Sequence, residues 1–497
     1  MTPGTLTPPS ARRSTAAYLT KLLAGPAAFA VILALPLALP WPGRIVLATF
    51  ACSAVWWVTQ PLPWAIAAML PFFVFPAAGV MDITATMHLY GQPIFFWIMG
   101  TVLMGYAIEK HGLAQRFALA FLALRGVGRR TSRLTFTYML MVGVLSMFVS
   151  DAATVAMTIP IGISVVRHVQ TIAGVPHGTH TNLAAFITLG TLYAAVAGGT
   201  ATMMGVPHNA IAISMLDRFT GRELGFFEWM LIGVPVFLVS LAVFYGTLRV
   251  MAPPEMKDLP GGEAFLRAER AKLGPLRADE RRVLVVFAAM VILFTLPTLA
   301  GLILGSGHAA ALALNRALPV YVVPPAVMVL LFAIRSASDS AVGLVTWKDA
   351  EQQTPWNVMF LIAGALAMTD ALADFGFVEF IGGVVGRLGI GAMALPFLAA
   401  AMVAVTTNVI SGTAAAALYL SIFIPAAAEI GYNPASMAIL IANIALGVIF
   451  PWSGATSATA FAGGDVSLAR MIRIGAVGTA VFTVAVAVIH VMLARFL

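Results

Sequence analysis

VGVLSMFVSDAATVAMTIP (142–160) and MVAVTTNVISGTAAAALYL (402–420) decide how this chain folds. In each stretch an apolar run is broken by a few small polar residues and resumes at once. Ser146, Ser150, Asp151 and Thr154 mark the first break; Thr407, Asn408, Ser411, Gly412 and Thr413 mark the second. Ser146 to Thr407 and Ser150 to Ser411 span the same 261 positions. Paired interruptions at corresponding places in two halves of an apolar chain are the sequence mark of a site at the middle of a membrane.

The surrounding chain of 497 residues is 60% hydrophobic and 10% charged, with a mean hydropathy of +0.95. A soluble globular chain carries about 25% charged residues, so most of this one must face lipid or other membrane helices. Lipid offers no partner to a free backbone N–H or C=O, which leaves helices or a closed barrel. Long unbroken apolar runs, instead of alternating ten-residue segments, select helices. The expected fold is therefore an all-α polytopic membrane protein. The net charge of +8 is assigned to basic cytoplasmic loops and not to nucleic-acid binding. Cys52 stands alone, so no disulfide can form within the chain. The N-terminal stretch with Arg12, Arg13 and Lys21 lacks a small-residue cleavage site and leads into a first membrane helix.

Apolar segments run from residue 25 to 250 and again from 283 to 494. Several are shorter than the roughly 20 residues of a full span and meet head to tail at the polar breaks, as half-helices or re-entrant hairpins do. Residues 1–24 form an N-terminal tail, 25–252 a first membrane repeat, 253–282 an exposed linker and 283–497 a second repeat. The linker holds Pro253, Pro254, Pro260, Gly261, Gly262 and Gly274 among mixed charges. Its Lys257, Arg267, Arg270, Lys272, Arg277, Arg281 and Arg282 place it in the cytoplasm, with Arg116, Arg125, Arg129, Arg130, Arg133 and the N-terminus on the same side. A second internal match supports duplication. GTVLMGYAIEKHG (100–112) and GALAMTDALADFG (364–376) share glycine spacing and apolar pattern at an offset of 264. Trp56 and Trp57 read as an interfacial belt, and Glu109 with Lys110 as a boundary of the same kind. Asp370 and Asp374 lie in an apolar run and are either intramembrane acids or, the favoured reading, residues at the cytoplasmic interface.

A helix interrupted in mid-membrane exposes unpaired N–H groups at one end and unpaired carbonyls at the other. The N–H end attracts an anion; carbonyls and hydroxyls coordinate a hard cation such as Na⁺. Ser, Thr, Asn and Gly suit that work, being small, hydrogen-bonding and tolerant of irregular backbone. Downstream of each break lies a second polar stretch, GGTATMMGVPHNA (198–210) and PWSGATSATA (451–460), and each is expected to form a loop facing its own break.

These residues carry a resemblance to the divalent anion/sodium symporter family, which moves dicarboxylates and related anions. WWVTQPLPWAIAAMLPFFVFPAAGV (56–80) is similar to the family's early signature, with Gln60 where an acid is usual. SMFVSDAAT and ISGTAAAAL stand at its two Ser-Asn-Thr motifs, GVPHNAIA and ATSATAFA at its two Pro-Pro-Asn loops. The apolar segments give about 11 transmembrane helices; the resemblance covers residues 25–497 and implies two re-entrant hairpins, two inverted repeats and an elevator-type homodimer in lipid. It implies one sodium site from Ser146, Ser150, Asp151 and the Gly205 carbonyl, and another from Thr407, Gly412 and the carbonyls of Ile410 and Ala455. Substrate contacts fall on Asp151, Ala152, Ser411, Gly412, Thr413, Thr456 and Ser457, with His208 beside them. The implied protein is a Na⁺-coupled carrier of a small organic anion in the inner membrane with no other cofactor. A proton-coupled carrier or an obligate anion exchanger of the same fold is the alternative.

The chain departs from the family at these positions. Asp151 replaces an Asn, Ala152 a Thr, Gly412 an Asn and His208 a Pro; Ser457, Ala458 and Thr459 replace Pro-Pro-Asn. Two like charges about 5 Å apart at an effective dielectric near 20 repel by roughly 3 kcal/mol, on the order of 100-fold in affinity. Asp151 therefore binds the cation directly, takes up a proton during transport, or faces a monoanionic or neutral substrate. Direct coordination is the favoured reading and proton coupling the second; an intramembrane acid is functional by default, against a helix N-cap role. His208 is either a cationic offset to Asp151 or a neutral ring bonded to backbone. Ser411 and Thr413 are either site residues or small packing residues.

Other classes lack their marks. There is no GxxxxGK[ST] loop for ATP, and the histidines His168, His177, His180 and His208 have no metal spacing such as HExxH. An enzyme is not expected. A channel would suit two inward breaks, but duplicated interrupted helices favour alternating access.

Overall fold

The computed structural model of the chain describes residues 11–259, 261–305 and 307–494. Residues 1–10 of the expected tail, the side chains of Arg12 and Arg13, and Pro260 of the expected linker lie outside the described residues. The described regular structure is helical, apart from isolated β-bridges pairing Arg130 with Asp258 and Arg335 with Gly343. Nine helices among the described residues are long and apolar enough to cross a membrane, and five further apolar helices of 10–17 residues are shorter than a span.

The chain divides into two compact units, and each takes segments from both sides of the charged linker. The smaller consists of Met1–Gln92 with Trp356–Arg387. Its helix Ala11–Ala34 lies along Trp41–Thr59, and the Trp56 indole N–H donates to the Leu22 carbonyl at 2.9 Å. Trp57 is only 1% exposed and meets Phe50 edge-on at 6.4 Å. The burial of Trp57 corrects the interfacial-belt reading for that residue, which fills the core of the unit, while Trp56 is half-buried beside the helix Ala11–Ala34. Asp374 is the exposed last residue of the helix Trp356–Asp374.

The larger unit comprises Pro93–Pro355 and Leu388–Leu497. Eight of its helices build the region of the two breaks. From the first half come α1 (Thr131–Ser146), α2 (Asp151–Ala173), α3 (Asn182–Gly199) and α4 (Pro207–Thr220). From the second come α5 (Leu395–Thr406), α6 (Gly412–Glu429), α7 (Pro434–Ile444) and α8 (Ala455–Gly463). Helices of the two halves interleave: α4 packs on α6 and α7, and α8 on α2 and α3.

The two stretches matched at 264 positions take the same local form, each within its own unit. Helices Pro93–Lys110 and Trp356–Asp374 are both followed by a left-handed glycine, Gly112 and Gly376, at φ 78°. Gly100 sits so close to another helix that an added Cβ would stand 2.3 Å from the Pro324 carbonyl oxygen; at Gly364 it would stand 1.9 Å from that of Ala68. A helix of each half thus closes on a segment of the other.

The linker reads as exposed, but it is docked. Its helix Gly262–Ala271 buries Leu266, and Leu259 is buried just before it. Glu263 accepts from Arg129 at 2.9 Å, from the Gly126 N–H at 3.1 Å and from Arg267 at 2.7 Å. Arg116 meets Glu280 at 2.9 Å, and Phe265 stacks on His168 at 4.2 Å. The linker therefore binds the Arg116–Arg133 segment that the charge pattern puts on its side. The Arg129 guanidinium and the Gly126 N–H hold the Glu263 carboxyl down to about 2. At the boundary expected around Glu109 and Lys110, Lys110 pairs with Asp349 at 2.7 Å and the Tyr106 hydroxyl donates to the same carboxylate at 2.9 Å. Burial alone would raise the Asp349 carboxyl; those two donors and Thr346 outweigh it and hold it well below the usual carboxylate range.

Candidate functional site

Each break is a helix end, a short non-helical link and a new helix start. The second helix begins with a serine cap in extended backbone: Ser150 at φ −54° and ψ 143°, Ser411 at φ −66° and ψ 148°. Ser150 accepts from the Ala153 N–H at 3.4 Å and Ser411 from the Ala414 N–H at 3.2 Å. The capping residue is Ser150, so Asp151 is the first helical residue and the N-cap reading of Asp151 is set aside.

The downstream stretches close on their own breaks. In the first half, the Thr202 hydroxyl donates to the Met147 carbonyl, and Asn209 donates to the carbonyls of Gly199 at 3.0 Å and Thr202 at 2.7 Å. Gly205 has room only for hydrogen: a Cβ would lie 2.4 Å from the Gly199 carbonyl oxygen and 2.6 Å from that of Ser146. Ser146 is fully buried and donates to the Ala195 carbonyl at 2.6 Å, which leaves its oxygen free to accept. In the second half, Asn408 accepts from the N–H groups of Val448 at 3.0 Å and Ile449 at 2.9 Å, and donates to Ala404 at 2.7 Å. The Ser453 hydroxyl donates to the Asn408 carbonyl at 3.0 Å. These bonds hold irregular backbone in an apolar surround, where an unpaired group is costly.

The two halves meet at Asp151. Its Oδ2 accepts from the Thr456 hydroxyl of α8 at 2.9 Å, and its Oδ1 from the Ala152 N–H at 2.7 Å. Thr456 is 8% exposed; Asp151 and Ala152 are half-buried. Ser457 is buried and gives its hydroxyl to the Gly447 carbonyl, so it braces the loop. Ile410 is buried beside the second cap, while Ser411, Gly412 and Thr413 are half-buried. Ala455 opens α8.

Two buried side-chain oxygens close to the breaks have no partner among the described residues. The Thr407 Oγ1 is fully buried and meets no donor or acceptor among the described residues. It lies 3.4 Å from where a Cβ on Gly412 would stand, and that Cβ would be 2.1 Å from the Ala445 carbonyl oxygen. Gly412 is thus compressed between Thr407 and the α7 loop. The Asn209 Oδ1 is likewise buried and unpartnered. His208 is 5% exposed at the start of α4, and its Nε2 has no partner among the described residues.

Three roles stay hidden in the motif reading. Asn209, Asn408 and Thr202 stand inside the quoted stretches, yet nothing there assigns them the closure of the loops. The signal is an amide or hydroxyl side chain in an irregular apolar segment, where it can replace missing backbone bonds.

The family model described as the sodium:sulfate symporter transmembrane region matches residues 16–497. The chain belongs to that family. Family and relatives are transporters, not enzymes. The sodium-dependent dicarboxylate transporter SdcS of Staphylococcus aureus is 27% identical over 471 residues, covering 93% of this chain and 88% of the relative, and several strains give the same match. Among solved structures, MtrF of Neisseria gonorrhoeae, presented as one of a class of antimetabolite efflux pumps, aligns with a TM-score of 0.56 at 14% identity. It covers 93% of this chain and 96% of that one. That likeness speaks to the fold alone.

Proposed function

We propose that this chain is a secondary active transporter that moves a small carboxylate-bearing anion across the bacterial inner membrane, driven by Na⁺. The observation that carries the reading is the buried, unpartnered Thr407 hydroxyl pressed against Gly412 at the second break. A fully buried hydroxyl oxygen without a partner suits a hard cation. In this reading Thr407, Gly412 and the carbonyls of Ile410 and Ala455 hold one Na⁺. Ser146, Ser150, Asp151 and the Gly205 carbonyl hold the other. Each Asp151 oxygen accepts one bond from the chain and keeps a second lone pair for the ion.

The anion sits between the starts of α2 and α6, where the helix dipoles are positive. Ser411, Thr413 and Thr456 orient it, with Ala152, Ser457 and His208 shaping the wall. Cation binding neutralises a site that would otherwise hold negative charge alone in a poorly polarisable surround. Substrate and Na⁺ therefore support each other's occupancy, the thermodynamic basis of symport. The named function of the SdcS relatives, sodium-dependent dicarboxylate transport, supports both the ion and the substrate class. We further take the carrier to work as an elevator-type homodimer, with the N-terminus and the linker in the cytoplasm.

The test is uptake into proteoliposomes. An inward Na⁺ gradient is expected to drive saturable accumulation of a carboxylate, which collapses when the gradient is dissipated by an ionophore. Accumulation that ignores Na⁺ and follows an imposed pH gradient would transfer the reading to proton coupling. Uptake that requires trans-side anion would transfer it to exchange.

A further inference from the structure

The two helix starts that face the substrate in this reading are not equivalent. At α6, no acceptor meets the N–H groups of Gly412 and Thr413 among the described residues; the capping bonds begin at Ala414. At α2, the Ala152 N–H, the counterpart of the Thr413 N–H, is already used. It donates to Asp151 Oδ1 at 2.7 Å, and the Thr456 hydroxyl donates to Oδ2 at 2.9 Å. The chain has placed a carboxylate of its own at one of two anion-binding helix ends.

We infer that Asp151 stands in for one substrate carboxylate, so that the transported anion carries a single acidic group. The inference rests on the sodium-coupled reading above and names its substrate class. Two independent observations support it. The first is charge. Asp151 is the only Asp, Glu, Lys or Arg within 146–154, 198–210, 407–413 and 445–460. No fixed cation in those stretches offsets it, so a fixed negative charge in the protein displaces one from the substrate at the same number of bound Na⁺. The second is the open end. Beside the free N–H groups of α6 lies the Thr407 hydroxyl, fully buried and unpartnered, next to Gly412. That end retains its donors and an oxygen for the cation, and so offers one carboxylate a place.

A second substrate carboxylate about 5 Å from Asp151, at an effective dielectric near 20, binds weaker on the order of 100-fold. An uncharged substituent against Asp151 and Thr456 escapes that penalty. A small 2-hydroxy or unsubstituted monocarboxylate matches this arrangement.

The experiment compares lactate and propionate with succinate and malate, by Na⁺-driven uptake into proteoliposomes and by thermal stabilisation of the purified protein in Na⁺. The wild type is expected to favour the monocarboxylates by about 100-fold in half-saturation. Asp151→Asn keeps the side-chain volume and an oxygen for Thr456 while removing the charge, and is expected to shift preference toward succinate by a similar factor. Should that variant fail to fold, the wild-type comparison still decides. Na⁺-driven uptake of succinate equal to or better than lactate in the wild type overturns the assignment and leaves sodium coupling standing. Absence of Na⁺-driven uptake for all four overturns the sodium-coupled reading, and the assignment falls with it.

Discussion

Gly412→Ala tests the geometry of the second break more sharply than any polar substitution. Gly412 is the first residue of α6, so replacing it gains at most the roughly 0.5–1 kcal/mol that glycine costs relative to alanine in a helix interior. At Gly412 the new methyl would stand 2.1 Å from the Ala445 carbonyl oxygen, and that neighbour is backbone, not a movable side-chain tip. The approach is more than ~1 Å inside ordinary contact, and overpacking of this kind costs about 1–3 kcal/mol. Sterics exceed propensity, so the net expectation is a loss of about 1–2 kcal/mol. Gly246, inside the helix Phe226–Met251, supplies the matched control: an added Cβ there meets nothing within 4 Å. Gly246→Ala should gain up to about 1 kcal/mol. Thermal unfolding in detergent, followed by tryptophan fluorescence, reads both signs. A Na⁺ titration of the same transition reads the site. Gly412→Ala should need about tenfold more Na⁺ for half-maximal stabilisation, equivalent to about 1.4 kcal/mol, because the start of α6, with the new methyl 3.4 Å from the Thr407 hydroxyl, must shift to relieve the clash. If Gly412→Ala unfolds at or above the wild-type temperature with an unchanged Na⁺ titration, the close packing described for this break is wrong.

Thr407→Val removes a hydroxyl that has no protein partner, so stability without Na⁺ should hold while half-maximal Na⁺ rises at least about tenfold; an unchanged Na⁺ response in the same titration would count against the cation assignment. Asn408→Ala strips the acceptor from the Val448 and Ile449 N–H groups and should cost about 2–4 kcal/mol, against about 1 for Ser453→Ala, in chemical unfolding. Glu263 has a depressed carboxyl, so its bonds to Arg129 and Gly126 contribute stability present above the ordinary value of 4.5 and lost as pH falls toward about 2. Limited proteolysis within 262–271 should accelerate over that acidic window in the wild type, and the acceleration should vanish in Glu263→Gln.

The membrane class, the helical fold and the places of both breaks are legible in the sequence, because burial in lipid forces long apolar runs and leaves small polar residues visible against them. Ser150 and Ser411 are readable as helix starts for the same reason: a serine before an apolar run is a capping signal. The bonds that close the loops are not readable. Asn209 and Asn408 look alike in the sequence, yet one lies in the first turn of α4 and the other in a break, and their partners are fixed only by three-dimensional packing. Thr456 joins Asp151 across 305 positions, a pairing no local pattern contains. Trp57 misleads because an aromatic at the end of an apolar run serves equally at a membrane surface or in a core, and its burial decides for the second. The linker misleads because charge, glycine and proline mark exposure while Leu259 and Leu266 quietly anchor it.

The glycine crossings at Gly100 and Gly364 bear on how the protein is made. Gly100 closes on Pro324, and Gly364 on Ala68, so helices synthesised early are completed by segments synthesised late. Chains are inserted from the N-terminus as the ribosome advances. A nascent chain that has reached the linker thus holds Gly100 and Ala68 in the bilayer without their partners. Its early helices must wait, loosely associated, until the residues around 324 and 364 arrive. Assembly of this transporter is a late event in its own synthesis, and a ribosome stalled at the linker leaves a product that cannot finish folding by itself.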